Sequence, residues 1–191
     1  MGAGSIPPQL AAILQEHDRL DERVRRLLAA TSESRWGERN DPVSWSVAEC
    51  FAHLNLTAAA MVPRLRAVWT EARALGAPPA RYRASLFGAI LTAMVGPLPR
   101  LGRYRLGRVR TPAPFIPQGE LPREAILKEF AQWQQAERAL LLEAATLPID
   151  RVRIESPFAA GMFYDGYSSL RIMVRHSLRH IDQAERVWGG G

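Results

Sequence analysis

Residues 170–188 read LRIMVRHSLRHIDQAERVW. Their apolar side chains recur with the period of an α-helix while arginines take the opposite register, which predicts an amphipathic helix over residues 167–188. His176 and His180 stand four residues apart, so a helix places both imidazoles on its inward face, about 6 Å apart along the axis. Burying two neutral imidazoles is costly unless their ring nitrogens find partners, and a metal ion would supply one for each. The alternative is a pair of core histidines that bond to each other or to the backbone.

Three further segments repeat apolar residues with the helical period. The second of them begins with a capping box, in which Ser46 and Glu49 satisfy each other's backbone donors, and Pro63 is expected to kink it. Because the helices are long and no strands alternate with them, the sequence predicts an all-α fold, an up-and-down four-helix bundle. A length of 191 residues suits a single domain over residues 1–191. The three segments cover residues 9–30, 46–75 and 122–146.

A long, partly helical connection is predicted between the second and third helices of the bundle. Its apolar stretch, residues 84–98, is shorter than the roughly 20 residues of a membrane span and is interrupted by Gly96 and Pro97, so we predict a short helix. The prolines of residues 111–119 favour an extended chain. Residues 150–155 alternate polar and apolar, but an isolated strand would have no partner, so an extended connection is predicted. An arginine-rich stretch follows the apolar one: Arg100, Arg103, Arg105, Arg108 and Arg110.

Composition restricts the classes of partner and compartment. The formal net charge of +6 permits anionic partners without selecting one. The arginine-rich stretch lacks a stacking platform or recognition motif, so we expect no nucleic-acid partner. A membrane partner is not expected either, because the apolar stretch is too short and interrupted for a span. The only cysteine, Cys50, cannot form an internal disulfide, and no signal-peptide pattern precedes the first helix, so a cytoplasmic location is expected. Motifs of serine hydrolases, phosphate-binding loops, dinucleotide sites and HExxH metalloproteases are absent.

His53 lies in a separate helical segment from the other two candidate ligands. Two histidines from one helix and one from another could hold a divalent metal and leave coordination positions open for chemistry. This hypothesis makes His53, His176 and His180 the metal ligands. By itself, His53 could equally be a core histidine whose hydrogen bonds are satisfied.

Four segments of the chain form a further pattern: Trp45-Ser46 with Glu49 and His53-Leu54, Thr111-Pro112 to Phe115-x-Pro117, Ser156-Pro157-Phe158, and His176-x-x-Arg179-His180-x-x-Gln183. Their arrangement resembles the DinB-like proteins, a superfamily that includes the bacillithiol and mycothiol S-transferases. The resemblance covers nearly the whole chain and implies a four-helix bundle in which His53, His176 and His180 bind a divalent metal, with zinc or nickel expected. It also implies a small-molecule substrate, transfer of a low-molecular-weight thiol to an electrophile or a thiol-assisted isomerisation, and a homodimer.

Other functions remain open from the sequence alone. A metal-dependent hydrolase is the rival enzyme, and a non-catalytic bundle that binds a small molecule is the rival from another class. A third hypothesis makes residues 84–110 an interfacial membrane patch. No carboxylate is forced toward the metal, so no general base is predicted.

Several side chains have both a functional and a structural interpretation. His17 is either a proton shuttle near the site or a core histidine, and Cys50 is either a soft extra ligand or a buried thiol. Glu49 could orient a ligand, but the capping box already explains it. Gln183 could hydrogen-bond near the site or face solvent. Four aromatic residues could line the pocket or simply pack in the bundle: Phe115, Phe158, Tyr164 and Tyr167.

Overall fold

The computed structural model describes residues 6–97 and 111–188. Within these ranges the chain is mainly helical, which confirms the predicted all-α fold. The helices are α1 (Pro8–Ala30), α2 (Val47–Arg73), α3 (Leu86–Val95), α4 (Arg123–Ala144) and α5 (Gly166–Trp188). Two short strands, β1 (Arg153–Glu155) and β2 (Phe163–Asp165), precede α5, and 3-10 turns cover Ala113–Phe115 and Ile149–Arg151.

Helix α2 begins and ends where its local sequence predicts. The Ser46 hydroxyl accepts the Glu49 backbone N–H over 3.2 Å, and the Glu49 carboxylate accepts the Ser46 N–H over 2.9 Å. This reciprocal capping box stabilises the first turn. The helix continues through Pro63 to Arg73, and Gly76 then adopts a φ of 93°, which a glycine reaches without a Cβ penalty.

Four long helices form the bundle, and α3 lies outside it. Helix α2 packs against both α4 and α5, α1 packs closely against α5 and also contacts α4, and α3 packs on α5. Apolar side chains fill the bundle in two clusters. Along α1 and α4, the change from one cluster to the other falls at three buried polar residues, His17, Gln134 and Glu137. The larger cluster includes Met61, Leu65, Trp69, Leu140 and Leu141, and the smaller one Leu20, Phe51, Leu54, Phe130 and Ile181.

The prediction that residues 150–155 lack a strand partner was wrong. Arg153–Glu155 pairs antiparallel with Phe163–Asp165, and Ile154 lies opposite Tyr164. Both of these side chains are almost fully buried, so the hairpin adds apolar area to the core as well as hydrogen bonds. The partner strand has only three residues and leads directly into α5, so it shows no alternation of its own in the sequence.

The short helix predicted within residues 84–98 is present as α3. It lies close to α5 because Gly88 has no side chain: a Cβ there would lie 2.2 Å from the Ser168 hydroxyl oxygen. None of the described helices combines the length and apolar character that a membrane span requires. The arginine-rich stretch between Arg100 and Arg110 lies outside the described residues.

Candidate metal centre

Helices α2 and α5 bring His53, His176 and His180 together. The Nε2 of His176 lies 3.4 Å from the Nε2 of His53 and 3.1 Å from the Nε2 of His180. His53 and His180 are buried and His176 is half-buried. Among the described residues, these three form the only group of histidine, cysteine or acidic side chains whose ligand atoms converge on one point.

A backbone hydrogen bond fixes the ring of His53. Its Nδ1 lies 2.7 Å from the carbonyl oxygen of Phe115, and because a carbonyl only accepts, Nδ1 must carry the proton. The Nε2 of the neutral ring then carries no proton, and its lone pair faces His176. The hydrogen bond from Nδ1 to the Phe115 carbonyl orients His53 as a ligand, which is the role that backbone carbonyls play beside metal-binding histidines.

The environment keeps all three imidazoles neutral. Burial lowers the pKa of His176 to about 3, with smaller decreases from His53 and from the Arg179 guanidinium. Burial also lowers the pKa of His53, against a smaller opposing effect of the Phe115 carbonyl. The pKa of His180 lies well below its usual value, first because of burial and then because of its two histidine neighbours. Neutral imidazole is the form that binds metal ions.

The donor set fits a metal ion. Nitrogens bound about 2.1 Å from zinc are separated from each other by about 3.0–3.4 Å, and the two measured Nε2 separations fall in that range. Without an ion, at most one of the two contacts at Nε2 of His176 could be a hydrogen bond, because this nitrogen has either one proton or one lone pair and Nε2 of His53 carries no proton. The Nδ1 of His180 is buried and makes no hydrogen bond within the described part of the chain. Gln183, one turn along α5, interacts with the same ring.

Aromatic rings enclose the three histidines. The ring of Trp45 is 4.8 Å from that of His53 and stacks on that of His180 at 5.7 Å, measured between ring centroids. Phe158 lies 6.4 Å from His176 and 4.6 Å from Phe115. These rings limit the access of water and lower the local polarity, so electrostatic interactions at the site are stronger than in bulk solvent.

Several other candidates from the sequence lie away from the histidines or have structural roles. His17 is buried against Gln134, with its Nδ1 3.3 Å from the amide oxygen. Cys50 is fully buried, which raises the pKa of its thiol, and it is not part of the cluster. Glu49 closes the capping box and forms an ion pair with Arg39. Of the four aromatic candidates, Phe115 and Phe158 line the site, whereas Tyr164 contacts Met61 and Tyr167 stacks on Tyr82.

The sequence did not reveal three contributions to the site. Trp45 stood out in the sequence beside Ser46 as part of the family resemblance, yet its ring contacts two of the three histidines. The Phe115 carbonyl orients His53, and a backbone oxygen leaves no signal in a sequence. The positive charge of Arg179, which was read as part of the solvent-facing register, acts on both histidines of α5.

A comparison with protein families shows the family to which the chain belongs. The sequence model of the DinB superfamily matches residues 16–184, a range that contains all three histidines. No curated protein and no solved structure matches the chain.

Proposed function

Because the chain belongs to the DinB superfamily, we propose that it is a metal-dependent enzyme that transfers a low-molecular-weight thiol to a small electrophile. The observation that carries the proposal is the convergence of three neutral imidazole nitrogens in a buried, aromatic-lined site. His53, His176 and His180 would hold a divalent ion, zinc or nickel, and leave one to three positions open. An ion held this way lowers the pKa of a thiol or water molecule that binds at an open position.

The residues around the histidines would stabilise a substrate thiolate that acts as the nucleophile. The Arg179 guanidinium is close enough to lower the pKa of His176 and His180, and the same positive potential stabilises a thiolate. Trp45 and Phe158 provide apolar surface for the electrophile. In the transfer, the thiol loses its proton to solvent and its sulfur forms a bond to an electrophilic carbon. The bond from that carbon to its leaving group breaks, and the electron pair departs with the group.

The first test measures metal content. Elemental analysis of the purified full-length chain should find about one divalent ion per chain in the wild type. We expect loss of the ion in His53→Ala and in His176→Ala, and full retention in His17→Gln, which changes a histidine outside the site. Circular dichroism of each variant establishes that it is folded. Unchanged metal content in both His53→Ala and His176→Ala would refute the three-histidine site.

The second test measures turnover. The metal-loaded protein is incubated with a panel of electrophiles, with and without low-molecular-weight thiols, and products are identified by mass spectrometry. Thioether formation that requires both thiol and metal supports the transferase. Products that contain water-derived oxygen and form without thiol would instead identify a hydrolase. Thermal stabilisation by a small molecule without any turnover would identify a non-catalytic binding protein.

A further inference from the structure

Helix α3 presents an apolar face to solvent. Leu86, Phe87, Ile90 and Met94 are exposed by 81%, 42%, 50% and 48%. On an α-helix these positions fall within about 100° of arc, so the four side chains form one continuous strip. Contiguous exposed apolar surface of this kind marks an interaction site more often than scattered single residues do.

The opposite face of α3 is fixed to the bundle. Gly88 and Thr92 are buried, and the missing side chain at Gly88 allows contact with Ser168 of α5. The Arg179 guanidinium donates to the carbonyl oxygen of Met94 over 2.9 Å at the other end of the helix. The Ser85 hydroxyl caps the first turn by accepting the Gly88 N–H. The apolar strip is therefore held in place on a firmly attached helix.

A basic groove adjoins the first turn of α3. It has a volume of about 940 Å³, and Arg81, Arg83 and Arg171 are among the residues that line it. None of these three arginines has a carboxylate partner within the described part of the chain. Glu16 also lines the groove, but it is paired with Arg175. The groove therefore carries uncompensated positive charge.

The sequence around α3 is also positively charged. Between Glu71 and Glu120 the chain contains no acidic residue and eight arginines. Asp165 and Asp150 lie beside this segment but form no ion pair with the three arginines of the groove within the described residues: Asp165 accepts the N–H and hydroxyl of Ser85, and Asp150 accepts the backbone N–H of Arg83. An apolar strip beside uncompensated arginines is the pattern of a protein surface that lies in the headgroup region of an anionic bilayer.

We propose that α3 and the adjoining arginine groove dock onto an anionic phospholipid surface. The apolar strip enters the boundary between headgroups and acyl chains, and the guanidinium groups of Arg81, Arg83 and Arg171 bind the headgroup phosphates. A second copy of the chain is a poorer occupant, because two identical basic rims would repel each other across a two-fold interface. From the sequence alone a membrane patch was the third hypothesis, and the exposure of four apolar side chains on α3 now favours it.

The experiment is vesicle co-sedimentation of the full-length protein. Wild type should bind vesicles of phosphatidylcholine with about one third phosphatidylglycerol at low salt, should be released at about 0.5 M NaCl, and should not bind phosphatidylcholine alone. Arg81→Gln/Arg83→Gln should weaken binding about 30-fold, at roughly 1 kcal/mol per arginine. Leu86→Gln/Ile90→Gln should lower the affinity at least as much, because it removes the apolar contact.

Matched double variants separate the surface from general effects of charge and hydrophobicity. Arg19→Gln/Arg66→Gln removes two exposed arginines elsewhere, and Leu56→Gln/Leu142→Gln removes two exposed leucines elsewhere; both should bind like wild type. No binding to anionic vesicles at low salt would overturn the proposal, as would equal losses in a test variant and its control. If wild type does not bind vesicles but Leu86→Gln/Ile90→Gln dissociates a dimer in light scattering, the strip is an interface between copies of the chain.

Discussion

The Nδ1 of His53 donates a hydrogen bond to the carbonyl oxygen of Phe115 over a distance of 2.7 Å. This contact joins α2 to the 3-10 turn Ala113–Phe115 and sets the tautomer that leaves Nε2 free as a ligand. The turn lies in a proline-rich stretch, and within the described residues its backbone hydrogen bonds run from Phe115 N–H to the Pro112 carbonyl and from Ile116 N–H to the Ala113 carbonyl. The imidazole therefore stabilises the turn as well as orienting the ligand.

His53→Ala should loosen this turn even in the absence of metal. Loss of one buried hydrogen bond, about 1 kcal/mol, should raise the hydrogen-exchange rates of the Phe115 and Ile116 amides about fivefold. The measurement is hydrogen–deuterium exchange with mass spectrometry in the presence of a chelator. His180→Ala is the control, since it removes a proposed ligand but keeps the contact. Equal exchange in the two variants would show that His53 does not hold the turn.

Trp45 provides an optical test of the metal centre. Its ring lies 4.8 Å from that of His53 and 5.7 Å from that of His180, so a paramagnetic ion held by these histidines should quench its fluorescence. Titration of metal-free protein with Ni²⁺ should lower the emission, and Trp45→Phe should remove most of that decrease. Trp133→Phe, which changes a tryptophan on α4 that contacts Glu129, should leave it unchanged. Quenching that survives in Trp45→Phe would place the ion elsewhere.

The local organisation of this chain follows well from its sequence. The apolar period, the capping box at Ser46 and the spacing of His176 and His180 depend on local geometry, which the sequence contains. The sequence offered His53 as a third ligand only as a hypothesis, which the family resemblance then favoured, because spacing within one helix does not show which helices pack together. The convergence of the three rings in the structure agrees with that resemblance.

The errors and omissions concern interactions between distant segments. Strand β2 was missed since its three residues, Phe163–Asp165, become a strand only by pairing with Arg153–Glu155. Trp45 faces the histidines because of how the loop before α2 packs, and the Phe115 carbonyl acts through its backbone. The helical period did not mark Gln134 and Glu137 as buried, yet the bundle buries both.

Gly88→Ala should weaken the attachment of α3. A Cβ at this position would lie 2.2 Å from the Ser168 hydroxyl oxygen and 2.6 Å from its Cβ. Ser168 cannot turn away without cost, because its hydroxyl donates to Asp165. The clash should outweigh the gain in helix propensity and lower the free energy of unfolding by about 1–3 kcal/mol, measured by urea denaturation. Gly37→Ala, where no atom lies within 4 Å, should be neutral; full stability of Gly88→Ala would contradict the packing.

Glu137→Gln should stabilise the protein increasingly as pH rises. Burial raises the pKa of Glu137 to about 8, and its Oε2 has no hydrogen-bond partner. The folded state therefore keeps this proton over a range, from about pH 4.5 to about pH 8, in which the unfolded chain releases it. The contribution of Glu137 to wild-type stability therefore falls across that window, whereas the amide in Glu137→Gln does not titrate. The free energy of unfolding of Glu137→Gln relative to wild type should therefore increase by roughly 2–4 kcal/mol.

The measurement is the free energy of unfolding of wild type and Glu137→Gln by urea denaturation, at several pH values between about 4.5 and about 8. Burial also lowers the pKa of His17 to about 4, so both proteins lose stability as the pH falls from about 6.5 to about 4. Since both chains keep His17, this contribution cancels in the difference between them, and what remains reports Glu137 alone. Glu71→Gln, at an exposed position on α2, is the control and should follow wild type. A difference between Glu137→Gln and wild type that does not change with pH would mean that Glu137 is ionised in the folded protein.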